Sequence, residues 1–398
     1  MITEELQKLY LAYTGVPAEN ITELPSSGSN RRYFRLAGVQ TLIGVYGTCI
    51  DENEAFLYMA AHFRRCGLPI PEIHIVSEDK TYYLQEDLGD TLLFHAIEKG
   101  RATSVFSEDE KELLRKTIRL LPAIQFAGAD GFDFSRCYPQ PEFNQRSILW
   151  DLNYFKYCFL KATGMEFQED KLEDDFQKMS DVLLRSSSAT FMYRDFQSRN
   201  VMIKDGEPWF IDFQGGRKGP FYYDIASFLW QAKAKYPDSL RQELLQEYIE
   251  ALRKYQPIDE PYFYSQLRHF VLFRTLQVLG AYGFRGYFEK KPHFIQSVPY
   301  AIGNLRELLK EEYPEYPYPE VIGYVNNDDG TLTLKVQAVF PYRGVSKAYI
   351  HEVTVHDTKD GGIQYVGNRI IEPINNPEIR WHVPRLTRTE WEELYGDN

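Results

Sequence analysis

One stretch limits what this chain can become. Residues 191–213, FMYRDFQSRNVMIKDGEPWFIDF, hold an acid at Asp195, an amide at Asn200 and a second acid at Asp212. Between the last two the pattern predicts a hairpin. Val201–Lys204 reads as a short apolar-rich strand, Asp205-Gly206 as a pair that tolerates the positive φ of a tight turn, and Trp209–Ile211 as a second strand ending at Asp212. Closing that hairpin sets Asn200 beside Asp212, with Asp195 on the loop before them. Asn200 and Asp212 then offer the hard oxygens that Mg²⁺ takes, and Asp195 can accept a proton from a hydroxyl nucleophile.

The wording around these residues is specific. YRDFQSRN at 193–200 and WFIDFQGGRKGPFYYDIAS at 209–227 resemble the catalytic and metal-binding loops of the protein-kinase-like fold, and more narrowly the aminoglycoside phosphotransferase and choline kinase group. Within that group the chain is most similar to bacterial anomeric sugar kinases that phosphorylate N-acetylmuramate and N-acetylglucosamine. The resemblance implies an ATP-dependent kinase with Asp195 as catalytic base and Asn200 and Asp212 as Mg²⁺ ligands. Asp224 matches an acid that supports the catalytic segment. One departure is visible: Tyr193 stands where the group usually has His.

The fold class this implies is α+β, a protein-kinase-like two-lobe fold. Residues 1–88 would form the nucleotide-binding lobe and 89–315 the helical lobe with the catalytic and acceptor site. A separate, small β-rich module would cover 321–398. A helix is expected over 2–14, then the small polar loop Ser26–Asn30 and a strand from Arg31 to Leu36. Small residues let backbone N–H groups approach a phosphate, although the same residues make ordinary turns. Ser27, Gly28, Ser29 and Asn30, with Arg32, form the cofactor-binding set that the resemblance implies.

The next strand, Thr41–Tyr46, lacks the lysine that protein kinases carry there. Arg31, Arg32 and Arg35 are the cations that could replace it, and Glu54, on a helix over 51–65, is the candidate partner. By resemblance alone, Glu86–Leu88 would meet the adenine ring, with Gly89 allowing the bend. Beyond Thr91 the pattern is helical, with a capping signal at Ser107–Glu110. An aromatic-rich helix is expected over 143–160, where Asp151 and Asn153 are candidate sugar contacts. Further helices are expected over 171–184, 224–235, 239–254, 261–281 and 294–312. The Gly-rich segment 214–220 reads as a flexible basic turn, either meeting phosphate or lying in solvent.

After a Pro/Tyr linker over 313–320 the period changes to two. Leu332, Leu334, Val336, Ala338 and Phe340 alternate with polar residues, and further strands are expected over 349–355 and 363–366, with a short helix at 385–398. This tail matches no family by its motifs. It reads as an interaction module for a protein partner or as an unusual fusion. His351 and His356 lack neighbouring ligands and read as strand surface.

The net charge of −12 over 398 residues argues against broad nucleic-acid binding, and no run approaches the length of a membrane span. Four scattered cysteines show neither metal spacing nor a disulfide framework, which fits a cytoplasmic protein. The expected acceptor is a small-molecule hydroxyl, an amino sugar first. An aminoglycoside- or choline-type kinase, or a nucleotide-binding regulatory protein, are the alternatives.

Overall fold

The computed structural model describes residues 2–25, 31–186, 189–312, 318–340, 345–358 and 363–372. The chain divides into two compact units, Met1–Arg306 and Glu307–Asn398.

The first unit opens with α1 (Ile2–Thr14), β1 (Asn20–Glu23), β2 (Arg32–Ala37), β3 (Leu42–Tyr46), α2 (Ile50–Arg65), β4 (Ile73–Val76) and β5 (Tyr82–Glu86). The strands form one antiparallel sheet in the order β1-β2-β3-β5-β4. On β2, Phe34 and Leu36 point to one face and pack with Leu6 and Tyr10 of α1, Leu42 and Leu84 in a buried cluster. Burying these apolar groups is what holds a short helix to a thin sheet. The other face meets α2. Phe56 of α2 stacks on Tyr83 of the sheet at 5.4 Å and on Phe213 at 4.9 Å, so this helix joins the sheet to the segment around Asp212.

The link out of β5 is pinned from β2. The Arg35 guanidinium donates to both oxygens of Asp87 at 2.7 and 3.1 Å, to Asp90 at 2.7 Å and to the Gly89 carbonyl at 3.1 Å. Gly89 turns the chain at φ +84°, a backbone angle that suits glycine. Then come α3 (Leu93–Ala96), α4 (Glu98–Thr103) and α5 (Glu108–Pro122). The expected cap is a full capping box: Ser107 and Glu110 each satisfy the other's backbone N–H.

The rest of this unit is α6 (Gln145–Phe155), α7 (Glu169–Leu183), β6 (Thr190–Met192), β7 (Val201–Lys204), β8 (Glu207–Phe210), β9 (Arg217–Gly219), α8 (Tyr222–Leu229), α9 (Asp238–Leu252), α10 (Glu260–Gly283), α11 (Pro292–Ile295) and the start of α12 (Val298–Glu312), which runs past Arg306. α10 crosses α6 so closely that a Cβ on Gly280 would lie 2.7 Å from the Phe155 nitrogen, which is why glycine stands there.

Three expectations change. The segment 214–220 is not a flexible turn throughout: Arg217–Gly219 pairs with β6 as a buried-edged strand. The helix expected over 224–235 stops at Leu229, because Gln231 turns back to bond Ser198. The helix expected over 294–312 is two helices, and Pro299 in the first turn of the second suits that start.

The second unit holds β10 (Tyr318–Asn326), β11 (Thr331–Phe340), β12 (Val345–Asp357) and β13 (Ile363–Glu372), an antiparallel meander in chain order. β11 covers the residues expected of it. β10 takes part of what read as a linker. Pro319 argues against a central strand, and β10 is an edge strand, where proline is tolerated. The helix at 385–398 and linker residues 313–317 lie outside the described residues.

Candidate functional site

The site begins at the hairpin. Asp205 and Gly206 both have positive φ, +54° and +75°, which makes the tight two-residue turn that the strand twist requires. Val201 pairs with Phe210, and the Ile211 N–H donates to the Asn200 carbonyl at 3.1 Å, so the pairing runs on to the open end. Asn200 and Asp212 therefore stand at the same end of the hairpin. The Asn200 side chain donates to the Asp195 carbonyl at 2.8 Å, which folds the loop onto that end and keeps the amide oxygen out of this bond. Asp195, Asn200 and Asp212 are brought together as the spacing requires.

Two buried groups hold this segment. Asp224, in the first turn of α8, is fully buried and accepts from the backbone N–H of Tyr193 and of Arg194, each at 2.9 Å, and from Gln125 at 3.1 Å. Burial pushes its carboxyl up to about 7 while those three N–H donors pull it down. Arg194 is held at φ +74°, a strained position for a side-chain-bearing residue that the Asp224 bond maintains. Tyr193, in the place of the usual histidine, is buried between Phe196 and Phe213 and donates its hydroxyl to the Ile211 carbonyl. It thus ties the loop of Asp195 to the strand that leads to Asp212.

Asp212 also sits at positive φ, +66°. Burial and the nearby Asp195 charge raise its pKa, and Gln214, donating at 2.8 Å, and Arg31 act against that. Two carboxylates crowded in a partly desolvated place favour a cation between them. Among the described residues no three His, Cys, Asp or Glu side chains converge on a metal position. A donor set of one amide oxygen and one carboxylate fits Mg²⁺, which keeps waters and substrate phosphates as its other ligands.

One cation that faces Asp212 is Arg31. Its side chain is 3% exposed, donates to the Glu52 carbonyl at 3.1 Å and lies 3.5 Å from the Glu52 carboxylate. Arg32 points the other way and pairs with Glu23 at the surface, at 2.7 and 2.8 Å. Glu54 is not the partner: it is exposed and bonded to Lys80. The alternation of β2 carries the signal for this. Phe34 and Leu36 face α1, so Tyr33 and Arg35 face the cleft, and Arg31 continues that side.

Ser27, Gly28, Ser29 and Asn30 lie outside the described residues. Glu86 ends β5, and its carboxylate accepts from Lys204 at 2.6 Å, joining the sheet to the hairpin; Leu88 beside it is buried. Asp151 accepts from Arg194 at 3.0 Å through Oδ1, and its buried Oδ2 has no hydrogen-bond partner among the described residues. Arg217 is buried against the Gly215 carbonyl at 3.2 Å, and burial with the neighbouring Arg194 lowers its pKa to about 10.

A model of the "phosphotransferase enzyme family" matches residues 20–258, more than half of the sequence. The chain belongs to the phosphotransferase enzyme family. A second model, of a family of unknown function, matches residues 299–385. The phosphotransferase is similar to an N-acetylmuramate/N-acetylglucosamine kinase of Neisseria meningitidis serogroup B, at 26% identity over 73% of this chain and 86% of the relative. Its fold is that of a choline kinase from Cryptosporidium parvum (TM-score 0.56, 11% identity, 78% of this chain and 97% of that one). It is also that of an aminoglycoside 2′-phosphotransferase solved with GDP (TM-score 0.51, 13% identity, 78% and 99%). The protein-kinase-like fold is thereby established. No helix among the described residues is long and apolar enough to cross a membrane.

Proposed function

We propose that this phosphotransferase moves the γ-phosphate of ATP to a hydroxyl of an amino sugar such as N-acetylmuramate or N-acetylglucosamine. The observation that carries the reading is the convergence of Asp195, Asn200 and Asp212 at one end of the hairpin. The name of the similar Neisseria kinase supports the acceptor class.

Asp195 would orient the sugar hydroxyl and take its proton as the new bond to phosphorus forms. Asn200 and Asp212 would hold Mg²⁺, which when bound supplies positive charge to the phosphate oxygens. Arg31, oriented by Glu52, takes the place of the missing strand lysine and meets the nucleotide's phosphates from the sheet side. Tyr193 and Asp224 keep the loop in register, so that the donor and acceptor groups meet without rearrangement. A cytoplasmic site of action fits four cysteines that all remain free thiols.

The test is ADP release with a panel of N-acetylmuramate, N-acetylglucosamine, hexoses, choline and aminoglycosides. Turnover with an amino sugar is expected, and Asp195→Ala should lower it by about three orders of magnitude or more while leaving the thermal transition in place. An unchanged rate in the variant would refute the base assignment. ATP binding without ADP release for any acceptor would make the chain a nucleotide-binding regulatory protein.

A further inference from the structure

A group of cations beside the catalytic segment has no part in the chemistry above. Arg199 lies in the turn Ser198–Asn200, one residue before a metal-loop partner. Its guanidinium carbon is 4.2 Å from the centroid of the Phe94 ring, and that of Arg101 is 3.4 Å from the same centroid. Arg101 is fixed there by donating to the Phe94 carbonyl at 2.9 Å. The amide and hydroxyl of Ser198 both donate to Gln231, at 3.1 and 2.8 Å. That bond brings the chain after α8, and Lys233 with it, to the same side. Lys233 in turn donates to the His293 carbonyl at 2.9 Å.

These groups repel one another. Burial, then Arg199 and Arg101, lower the pKa of Lys233; burial, then Lys233, Arg199 and Lys291, lower that of His293. Arg199 is stacked on Phe94 and remains exposed to solvent. Glu98 is the carboxylate that acts on Arg101 from a distance. Among the described residues none forms an ion pair with Arg101, Arg199 or Lys233, in a chain that holds 57 carboxylates for 45 Lys and Arg. Crowded cations without acidic partners cost stability. Such a conflict is tolerated where a ligand of opposite charge resolves it.

We infer that Arg199, Lys233 and Arg101, with His293 at the rim, form an anion subsite of the acceptor cleft, which receives a carboxylate or phosphate carried by the sugar. This rests on the phosphotransferase reading above and sharpens it. Arg199 shares one short segment with Asp195, so an acceptor whose hydroxyl meets Asp195 presents its other substituents toward the cations. Guanidinium groups suit both anions through paired N–H donors. A cationic acceptor would be repelled, and a neutral one would leave the cluster uncompensated.

The test compares acceptors that share a ring: N-acetylglucosamine, N-acetylmuramate with its carboxylate, and N-acetylglucosamine 6-phosphate. The wild type should prefer one of the two acids, and which one tells carboxylate from phosphate. Arg199→Ala and Lys233→Ala should each raise KM for that acid about tenfold, with KM for ATP steady and with partial rescue in Arg199→Lys. Lys178→Ala, an exposed cation elsewhere, should change nothing. A wild type that uses the neutral sugar as well as the acids, or variants that slow all three acceptors equally, would overturn the subsite. If no acceptor turns over, the proposed reaction fails on its own, and calorimetric binding of the two acids still decides. Binding that is lost in the two variants upholds the subsite, and absence of binding to the wild type removes it.

Discussion

The segment from Asp195 to Asp212 and the C-terminal sheet are both made of antiparallel pairs, yet opposite kinds of contact hold them. β7 and β8 pair over only four residues each. Their position comes from partners far away in sequence: Lys204 with Glu86, Tyr193 and Arg194 with Asp224, and Phe213 with Phe56. The sheet of β10–β13 pairs neighbour with neighbour along long strands. Val336 and Ile350 are buried in it, while Val321, Tyr324, Val325 and Tyr365 stay exposed. A short segment fixed by distant buried groups can hold strained backbone at Arg194 and Asp212. A meander fixed by local register needs no such support.

The strongest way to break this contrast is to remove the buried anchor. Asp224→Asn places an amide NH₂ where three N–H donors converge. It should cost about 1–3 kcal/mol of stability, and the misplaced loop should lower turnover on the order of a hundredfold. The same variant reads the pH behaviour. A carboxyl raised to about 7 in the fold holds a proton that the unfolded chain has released above its ordinary range near 4. Its contribution to stability is therefore complete below that range and disappears as pH rises through 7. The melting temperature of the wild type relative to Asp224→Asn should fall between about pH 4 and 7 and level off above. A difference that does not vary with pH would show that the carboxyl is ionised throughout.

A smaller effect is expected at the cleft cation. Arg31→Gln should raise KM for ATP about tenfold and weaken nucleotide binding measured directly, while Arg32→Gln should stay within about twofold of the wild type. The reverse ranking would return the nucleotide role to Arg32. The smallest effect on turnover belongs to the sheet. Val336→Asp buries a charge and should unfold the meander, seen as loss of strand signal in circular dichroism, yet leave ADP release within about twofold. A large loss of turnover would show that the sheet acts on the kinase reaction.

What the sequence determined on its own was local. The Asp205-Gly206 turn, the period of two in β11 and the cap at Ser107 depend on neighbours a few residues apart, and each was legible from residue type and spacing. That Asp195, Asn200 and Asp212 come together was legible because one hairpin carries two of them to one end, and the third lies on the loop just before it. The tertiary structure alone decided that Arg31 meets Glu52 rather than Glu54 while Arg35 on the same side of the strand is taken up by Asp87 and Asp90, that Asp151 is bonded to Arg194, and that Arg101, Arg199 and Lys233 share one place. Those choices turn on which faces of distant elements pack together, and on the burial that packing produces. Charges far apart along the chain become neighbours only when the apolar surfaces between them have closed.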